Sequence, residues 1–267
     1  MSDPLRAPPP EFPPVYFINL AGSTGRRARM ERQLASWPGA VQRVEGIDGR
    51  RLGRLELFNR QAPVRTLLRH GRLLKPGEVG TFLAHQEVYR RLLASGADAA
   101  IVLEDDVAVE LTALQALLPA IGGLTFPWDV ILLHNHSDLH PDKPYFAPLK
   151  ALSDRFTLMG LLDEPCSAGA YMITRQGAGK MLKIGRFDSP ADYWAWWGLR
   201  TGLQVFALDP VVARADRQFV SDIDAVALRK PENGKRISWL FRRSRKAFRN
   251  KVRKHCRETL QRLGQTS

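Results

Sequence analysis

Residues 101–107 combine a short apolar run with three consecutive carboxylates, and no other feature constrains the fold as strongly. Ile101-Val102-Leu103 has the β-branched, apolar character of a buried strand, and Glu104-Asp105-Asp106 follows at once. Burying an unpaired carboxylate is costly, and three in a row repel one another unless solvent or a cation neutralises them. In open α/β sheets, ligands bind just beyond the carboxyl ends of strands. The run therefore predicts either a site for Mn²⁺ or Mg²⁺ or a solvated acidic turn after a core strand.

Length and composition allow either one sizeable domain or a domain with a small appendage. The chain has 267 residues, of which 44% are hydrophobic and 25% charged, as in ordinary globular proteins. Cys166 and Cys256 stand far apart, which argues against a disulfide framework or a zinc cluster. Met1 to Pro14 is rich in proline without the apolar segment of a signal peptide, and we expect it to be disordered. No apolar run nears the roughly 18 residues that span a bilayer, so a reducing cytoplasm is the predicted location.

The net charge of +13 is concentrated near the C-terminus. Residues 235–262 hold twelve Lys and Arg side chains against Glu258, so they account for +11 of the +13. The basicity therefore belongs to a tail, 231–267, and leaves the preceding domain, 15–230, nearly neutral. Apolar residues of the tail recur mostly at steps of three and four, which predicts an amphipathic helix. They are Ile237, Phe241, Phe248, Val252, Cys256, Leu260 and Leu263.

Three roles are open for such a helix. It could lie on an anionic membrane surface through residues 235–263, where each basic residue contributes about 1 kcal/mol. This role would place the protein peripherally on the inner face of a membrane. The helix could instead pack on the domain with its charges in water, or bind RNA, and nucleic acid is the least favoured of these partners.

The first segments have the order of the first half of a βαβ unit. Val15 to Leu20 predicts a strand, Ala21 to Gly25 a flexible loop, and Arg26 to Trp37 a helix. Arg26 and Arg27 would then stand at the helix start, where backbone N–H groups favour anions. The pair indicates either a phosphate site or two solvated arginines on an exposed turn.

Two further segments flank the acidic run. Lys75 to Glu78 can begin a helix, with Pro and Glu suited to its first turn, and His85 would lie near its apolar face as a structural residue or a ligand. After the acidic run, Leu111 to Ile121 predicts a helix and Trp128 to Leu133 a strand. This strand leads into His134-Asn135-His136, whose histidines lack a clear third protein ligand nearby and are expected at most to line a pocket.

The second half of the domain gives three more predictions. Pro141 to Phe156 mixes proline, charge and aromatic residues without a period, which predicts a mobile loop over a site. Small residues in Ser167 to Ile173 lead into a strand and allow close approach to a ligand or tight strand packing, and Thr174 can cap the next helix. Pro190 to Trp197 places three tryptophans and a tyrosine around Asp192, as at a sugar site or in a helix docked into the core.

The order and content of these pieces resemble glycosyltransferase family 25, the bacterial lipooligosaccharide glycosyltransferases related to collagen galactosyltransferases. The resemblance covers about Val15 to Ile223. Its seven matches, in order, are Ile18-Asn19-Leu20 with Arg26-Arg27 and Met30, Val44 to Gly49, Gly77 to Gly80 with Ala84-His85, Leu103 to Asp106, Gly169 to Thr174, Pro190 with Asp192, and Ser221-Asp222-Ile223. Phe82 and Ala84 depart from the Cys and Ser that the family often has, and the basic tail is outside the family pattern.

The resemblance implies an α/β fold of the GT-A type, in which a mixed central sheet flanked by helices binds a nucleotide sugar. It also implies transfer of galactose or glucose from a UDP-sugar, with inversion at the anomeric carbon. The implied acceptor is lipooligosaccharide, lipopolysaccharide or another surface glycan.

The resemblance, with simple electrostatics, also suggests roles for residues. Asp106 would hold Mn²⁺ or Mg²⁺ against the diphosphate, with Asp105 or Glu104 assisting. An inverting displacement needs a base on the acceptor hydroxyl, and Asp192 is the first candidate, with Asp222 or Asp163 as alternatives. The residues expected to contact the donor are Asn19, Leu20, Arg26, His85, Glu104, Asp105, Gly169 and Tyr171.

Three other functions are open on the sequence. A glycoside hydrolase also needs two carboxylates, but it has no use for a metal cluster or a nucleotide pocket. A non-catalytic binder of RNA or acidic lipid would act through the tail alone, with steep salt dependence. A degenerate transferase would keep the fold as a scaffold, although the acids that it would be expected to lose are present here.

Overall fold

A computed structural model describes residues 12–135, 145–216 and 238–264. The strands within these ranges are β1 (Val15–Asn19), β2 (Val41–Glu45), β3 (Ala99–Glu104), β4 (Val107–Val109), β5 (Val130–Leu132), β6 (Phe146–Ala151), β7 (Thr157–Leu161), β8 (Ala170–Thr174), β9 (Val205–Asp209) and β10 (Ala213–Ala215). The helices are α1 (Thr24–Leu34), α2 (Arg54–Arg60), α3 (Pro63–His70), α4 (Pro76–Ser95), α5 (Leu111–Gly122), α6 (Arg175–Leu182), α7 (Trp194–Thr201) and α8 (Ser238–Gly264), with a short 3₁₀ helix at Gly49–Arg51.

Eight strands form one mixed sheet in the order β2-β1-β3-β8-β5-β9-β7-β6. β1 pairs in parallel with β2 and β3, and β8 runs antiparallel between β3 and β5. β5 and β9 are parallel, whereas β7 is antiparallel to both β9 and β6. β4 and β10 form a separate antiparallel ribbon. The predicted α/β class with a mixed central sheet is confirmed.

Helices cover both faces of this sheet because successive side chains of a strand point to opposite faces. Tyr16 and Val102 join the core beneath α4, α6, α7 and α8. Phe17 and Leu103 join the core beneath α1 and α5. With apolar side chains on both faces, β1 and β3 have no polar face, and this explains the continuous apolar runs in the sequence.

The loop predicted over Pro141 to Phe156 is wrong for residues 146–151, whereas residues 152–156 form the turn between β6 and β7. Phe146–Ala151 forms β6, which pairs with β7 at the edge of the sheet. Its side chains are exposed or half-buried, so the strand carries no apolar alternation that the sequence could reveal. Pro148 sits beside a shift in the β6–β7 register, a position that an edge strand tolerates. Residues 141–144 lie outside the described ranges.

The basic tail forms the predicted helix, and that helix packs on the domain. α8 contacts α3, α7 and β7. Val252 and Cys256 are buried in the larger core, and Phe248 packs against it. Leu260 lies so close to Gly160 of β7 that a side chain at Gly160 would have no room. Among the described residues, none of the helices combines the length and apolar character needed to cross a bilayer.

Candidate functional site

A cavity of about 270 Å³ opens where β1, β2 and β3 end. The three strands are parallel, so their carboxyl ends meet at one edge of the sheet, the usual position of a ligand site in such folds. A neighbouring cavity of about 720 Å³ shares the wall formed by residues 46–48. Together they leave room for a ligand larger than a single sugar. The charged residues that line the first cavity are Arg26, Asp48, Arg50, Lys75, Glu104, Asp105 and Asp106.

Asp105 is bound to protein on both carboxylate oxygens. Asn19 Nδ2 donates to Oδ2 at 2.6 Å, and Arg26 Nη1 lies 3.2 Å from Oδ1. Asn19 is itself buried, donates to Ser23 O at 3.0 Å and accepts from Arg43 Nε at 3.0 Å. Asn19 therefore holds Asp105 and the β1–α1 loop in place. It does not line the cavity, as a residue in contact with a nucleotide sugar would.

Asp106 differs from Asp105 in its partners. Among the described residues, no other residue forms a hydrogen bond or ion pair with the Asp106 carboxylate, which lines the cavity and is reached by the backbone N–H of Asp106 itself. Burial raises its pKa to about 6, and the negative charges of Glu104 and Asp105 contribute to the same shift. A cation at this position would relieve that repulsion.

Glu104 is positioned by a buried chain of hydrogen bonds. Its backbone N–H donates to Gly169 O at 2.7 Å, and its Oε1 lies 3.2 Å from His85 Nε2. His85 Nδ1 lies 2.7 Å from the Tyr171 hydroxyl, which lies 3.0 Å from the Tyr89 hydroxyl. In the tautomer in which Nδ1 accepts a hydrogen bond from the Tyr171 hydroxyl, Nε2 donates a hydrogen bond to Glu104 Oε1.

His85 and Tyr171 therefore lie behind Glu104 and not in the cavity. They are 1% and 0% exposed, so the predicted direct contact with a donor is wrong for both. Gly169 does not line the cavity either. A β-carbon there would lie 3.0 Å from His134 Nδ1 and 3.1 Å from Val107 Cγ1. Tight packing explains this glycine. His134 is buried and bonded to Ser167, and it does not line the cavity, while His136 lies outside the described residues.

The two arginines at the start of α1 have different surroundings. Arg26 faces the cavity and pairs with Asp105. Arg27 pairs with Glu31 at 2.7 Å in solvent. The phosphate-site prediction thus applies to Arg26, and the solvated-turn alternative describes Arg27. Sequence reasoning missed Lys75, which lines the opposite wall just before α4, where backbone N–H groups also favour an anion.

The wall opposite the carboxylates is fixed by two glycines. Gly49, in the 3₁₀ helix after β2, abuts the backbone of Pro76, and Gly80 of α4 abuts the backbone of Ile47. Neither position has room for a β-carbon, so β2 and α4 are held at backbone contact. Both glycines belong to stretches that carried the family resemblance, and this was the available signal for the wall.

The residues of the cavity fit a divalent cation whose remaining ligands would be phosphate oxygens and water. Within the described ranges, no group of three or more His, Cys, Asp or Glu side chains surrounds a common metal position. Asp106 and Glu104 nevertheless present oxygen donors to one cavity, and Mg²⁺ is commonly held by one or two carboxylates together with phosphate and water. The predicted participation of Asp105 as a ligand is not supported, since Asn19 and Arg26 occupy its oxygens.

Asp192 lies in the loop between α6 and α7. Burial raises its pKa to about 7, and the negative charge of Glu104 adds to the shift. Asp163, an alternative base, is instead ion-paired with Arg253 of α8 at 2.6 Å. Asp222 lies outside the described residues. The base role of Asp192 stays a prediction.

The tryptophans after Asp192 belong to the core and not to a sugar site. Trp194, Trp196 and Trp197 are 0%, 7% and 0% exposed. Each indole N–H donates internally: Trp194 to Ser167 O, Trp196 to Asp188 Oδ1 and Trp197 to Pro190 O. The alternative of a helix docked into the core is therefore correct, and no indole face is left for a sugar.

The sequence is similar to a known protein family and to several of its curated members. The model of glycosyltransferase family 25 (LPS biosynthesis protein) matches residues 12–194. "Procollagen galactosyltransferase 1" of Danio rerio is 30% identical over 178 residues, which is 64% of this chain and 28% of that protein. "Probable inactive glycosyltransferase 25 family member 3" of Bos taurus is 26% identical over 253 residues, 85% of this chain and 42% of that protein. The chain thus spans less than half the length of these curated relatives.

Among solved structures, a glycosyltransferase involved in the glycosylation of the major capsid of PBCV-1 is 11% identical to this chain. It covers 70% of this chain and 65% of its own, with a TM-score of 0.33. The family match, by contrast, extends over more than half of the chain and includes the cavity, the acidic run and Asp192. The chain belongs to glycosyltransferase family 25.

Proposed function

We propose that this protein is an inverting glycosyltransferase that moves a hexose, galactose or glucose, from a UDP-sugar to a glycan acceptor such as lipooligosaccharide or lipopolysaccharide. One observation carries the proposal: the cavity brings Arg26 and Lys75 together with the carboxylates Glu104 and Asp106. Cations on one side and paired oxygen donors on the other suit a diphosphate bridged by a metal ion. A glycoside hydrolase has no use for this combination.

Different residues of the cavity would bind different parts of the UDP-sugar. Asp106 and Glu104 would hold Mn²⁺ or Mg²⁺, which as a Lewis acid stabilises the negative charge that grows on the departing diphosphate. Arg26, oriented by Asp105, and Lys75 would bind phosphate oxygens. Leu20, at the end of β1, lines the same cavity and would contact the nucleotide.

Asp192 would act on the acceptor. With a pKa of about 7, a substantial fraction of its carboxyl groups is ionised at neutral pH and can take the proton of an acceptor hydroxyl. The new glycosidic bond then forms as the bond from sugar to diphosphate breaks on the opposite face, which inverts the anomeric carbon. The proposal includes a glycan acceptor such as lipopolysaccharide. It also includes a cytoplasmic location for the protein.

A donor screen tests the proposed function. Purified protein is incubated with a set of UDP-hexoses in Mn²⁺ or in EDTA, and released UDP is measured. We expect one UDP-hexose to be turned over with the cation and not in EDTA, first as slow hydrolysis and faster with a glycan acceptor. Failure to release UDP from any sugar by folded protein would contradict the proposal and favour a non-catalytic protein of the same fold.

The outer face of α8 supports a second proposal, contact with an anionic membrane surface. Lys246, Arg249 and Lys251 are exposed there, whereas Val252 and Cys256 face the domain. The apolar stripe is therefore used in packing, so insertion of this stripe into a bilayer is not available. Binding would rest on charge alone and be screened by salt.

Vesicle sedimentation checks this second proposal. We expect binding to vesicles containing phosphatidylserine at about 0.1 M NaCl, release at about 0.5 M, and no binding to neutral phosphatidylcholine vesicles. The triple variant Lys246→Glu, Arg249→Glu, Lys251→Glu should lose binding and keep the melting temperature of the wild type. Vesicle binding that survives the triple variant would reject the proposal, and binding of RNA in place of vesicles would reassign the surface.

A further inference from the structure

The loop that carries Asp192 is anchored at its start by a buried ion cluster. Asp188 is 0% exposed and accepts a hydrogen bond from Trp196 Nε1 at 3.0 Å. Arg200 of α7 lies 2.9 Å from its carboxylate, and Arg69 of α3 pairs with the same oxygen. A buried carboxylate held by two cations from different helices ties the loop to both of them.

The residues nearer to Asp192 are held by the same two helices. Ser189 Oγ lies 3.1 Å from His70 Nε2 at the end of α3. The carbonyl of Pro190 accepts from the indole of Trp197 in α7 at 2.9 Å. The ring of Tyr193 meets the His70 ring edge to face, with 5.1 Å between centroids. The loop is therefore fixed on both sides of Asp192.

Phe248 of α8 covers this anchor from outside. Its ring lies 4.9 Å from Trp196 and 6.5 Å from His70, between centroids. The Arg69 guanidinium carbon lies 3.6 Å from the Trp196 ring centre and 5.4 Å from that of Phe248. Phe248 thus packs against the anchor beside the buried Arg69–Asp188 pair, where an ion pair is stronger the less water reaches it.

Arg253, further along α8, reaches a second support of the same loop. It pairs with Asp163 at 2.6 Å and 2.8 Å. The neighbouring Glu164 accepts from the backbone N–H groups of Ala195 at 3.1 Å and Trp196 at 2.9 Å. Glu164 thus caps the first turn of α7, which begins two residues after Asp192.

From these contacts we infer that Phe248 of α8 is a positioning residue for Asp192. This inference rests on the proposed function, and it concerns a helix outside the residues 12–194 that the family model matches. An appendage that only covered apolar surface would have no reason to meet the anchor of the Asp192 loop.

Phe248→Ala tests the inference by two independent measurements on the full chain. Backbone hydrogen exchange in peptides covering residues 186–197 should become faster, since water reaches the Arg69–Asp188 pair. The kcat for sugar transfer should fall about ten- to a hundredfold, the scale of a small misplacement of a reacting group. The dissociation constant of UDP should stay within about twofold, because the nucleotide cavity does not include α8.

Leu260→Ala is the matched control. It removes an apolar side chain from the same helix, but one that packs on Gly160 of β7. It should lower the melting temperature and leave both loop exchange and kcat near the wild type. If Phe248→Ala does not fold, Phe248→Leu takes its place, with a smaller change in the same direction.

Failure of the proposed role of Phe248 and failure of the proposed glycosyltransferase activity give different results. Wild-type exchange and kcat in Phe248→Ala would overturn the inference. So would equal losses in Phe248→Ala and Leu260→Ala, because α8 would then contribute only general stability. If wild-type protein transfers no sugar, the proposed function fails, and faster loop exchange confined to the Phe248 variant still decides whether this side chain holds the loop.

Discussion

Asp106→Asn is expected to lower the rate of sugar transfer at least about a hundredfold. No other described residue forms a hydrogen bond or ion pair with the Asp106 carboxylate, yet it lines the cavity beside Glu104. The change to Asn would remove one of the two carboxylates expected to hold the cation, so the apparent affinity for Mn²⁺ should fall along with kcat/KM. The fold should survive, because the substitution relieves the repulsion that raises the pKa of Asp106.

The measurements for this variant are transfer kinetics over a range of Mn²⁺ concentrations and thermal unfolding. Asp154→Asn, on the exposed turn between β6 and β7, removes a carboxylate away from the cavity and should behave like the wild type. Wild-type turnover and Mn²⁺ dependence in Asp106→Asn would show that this carboxylate does not hold the metal.

Asp192→Asn is expected to lower kcat by at least about a hundredfold, because an amide cannot accept the proton of the acceptor hydroxyl. Binding of UDP should be unchanged, since Asp192 does not line the cavity that holds Asp106 and Glu104. Full activity in this variant would remove Asp192 from the base role, and Asp222 would then be the next candidate.

The pH dependence gives a second test of the base. The pKa of Asp192 is raised to about 7 by burial and by the charge of Glu104. Below this pKa the carboxyl is protonated and cannot act as a base, so kcat/KM should rise with pH and level off above it. A bound cation offsets the charge of Glu104 and should move the midpoint lower. In Asp192→Asn the rise should disappear from the residual activity, and its persistence would assign the titration to another group.

The predictions that succeeded depend on residues close together in the chain. The strand before the acidic run, the helix that begins at Pro76 and the cap at Thr174 follow from local periodicity and capping chemistry. The acidic run and the start of α4 line one cavity because β1, β2 and β3 pair in parallel and end at the same edge of the sheet. The sequence alone was therefore sufficient to locate the acidic edge of the sheet.

The roles that changed depend on contacts between distant residues. His85 and Tyr171 are 86 positions apart, and no local pattern shows that they meet behind Glu104. The sequence of Trp194–Trp197 is compatible with a sugar site or with a core helix. The exposed fraction of the three indoles distinguishes these alternatives, and it is known only from the structure. Asp105 and Asp106 are neighbours with different tasks, because Asn19 and Arg26 reach one carboxylate and not the other.

The central claim is that a divalent cation held by Asp106 and Glu104 bridges the protein to a nucleotide diphosphate. Calorimetric titration of UDP into the wild-type protein, once with Mn²⁺ and once with EDTA, tests it most directly. The account predicts saturable binding of UDP with Mn²⁺ that is lost in EDTA and in Asp106→Asn. Equally tight binding of UDP in EDTA, or no binding with Mn²⁺ present, would contradict it.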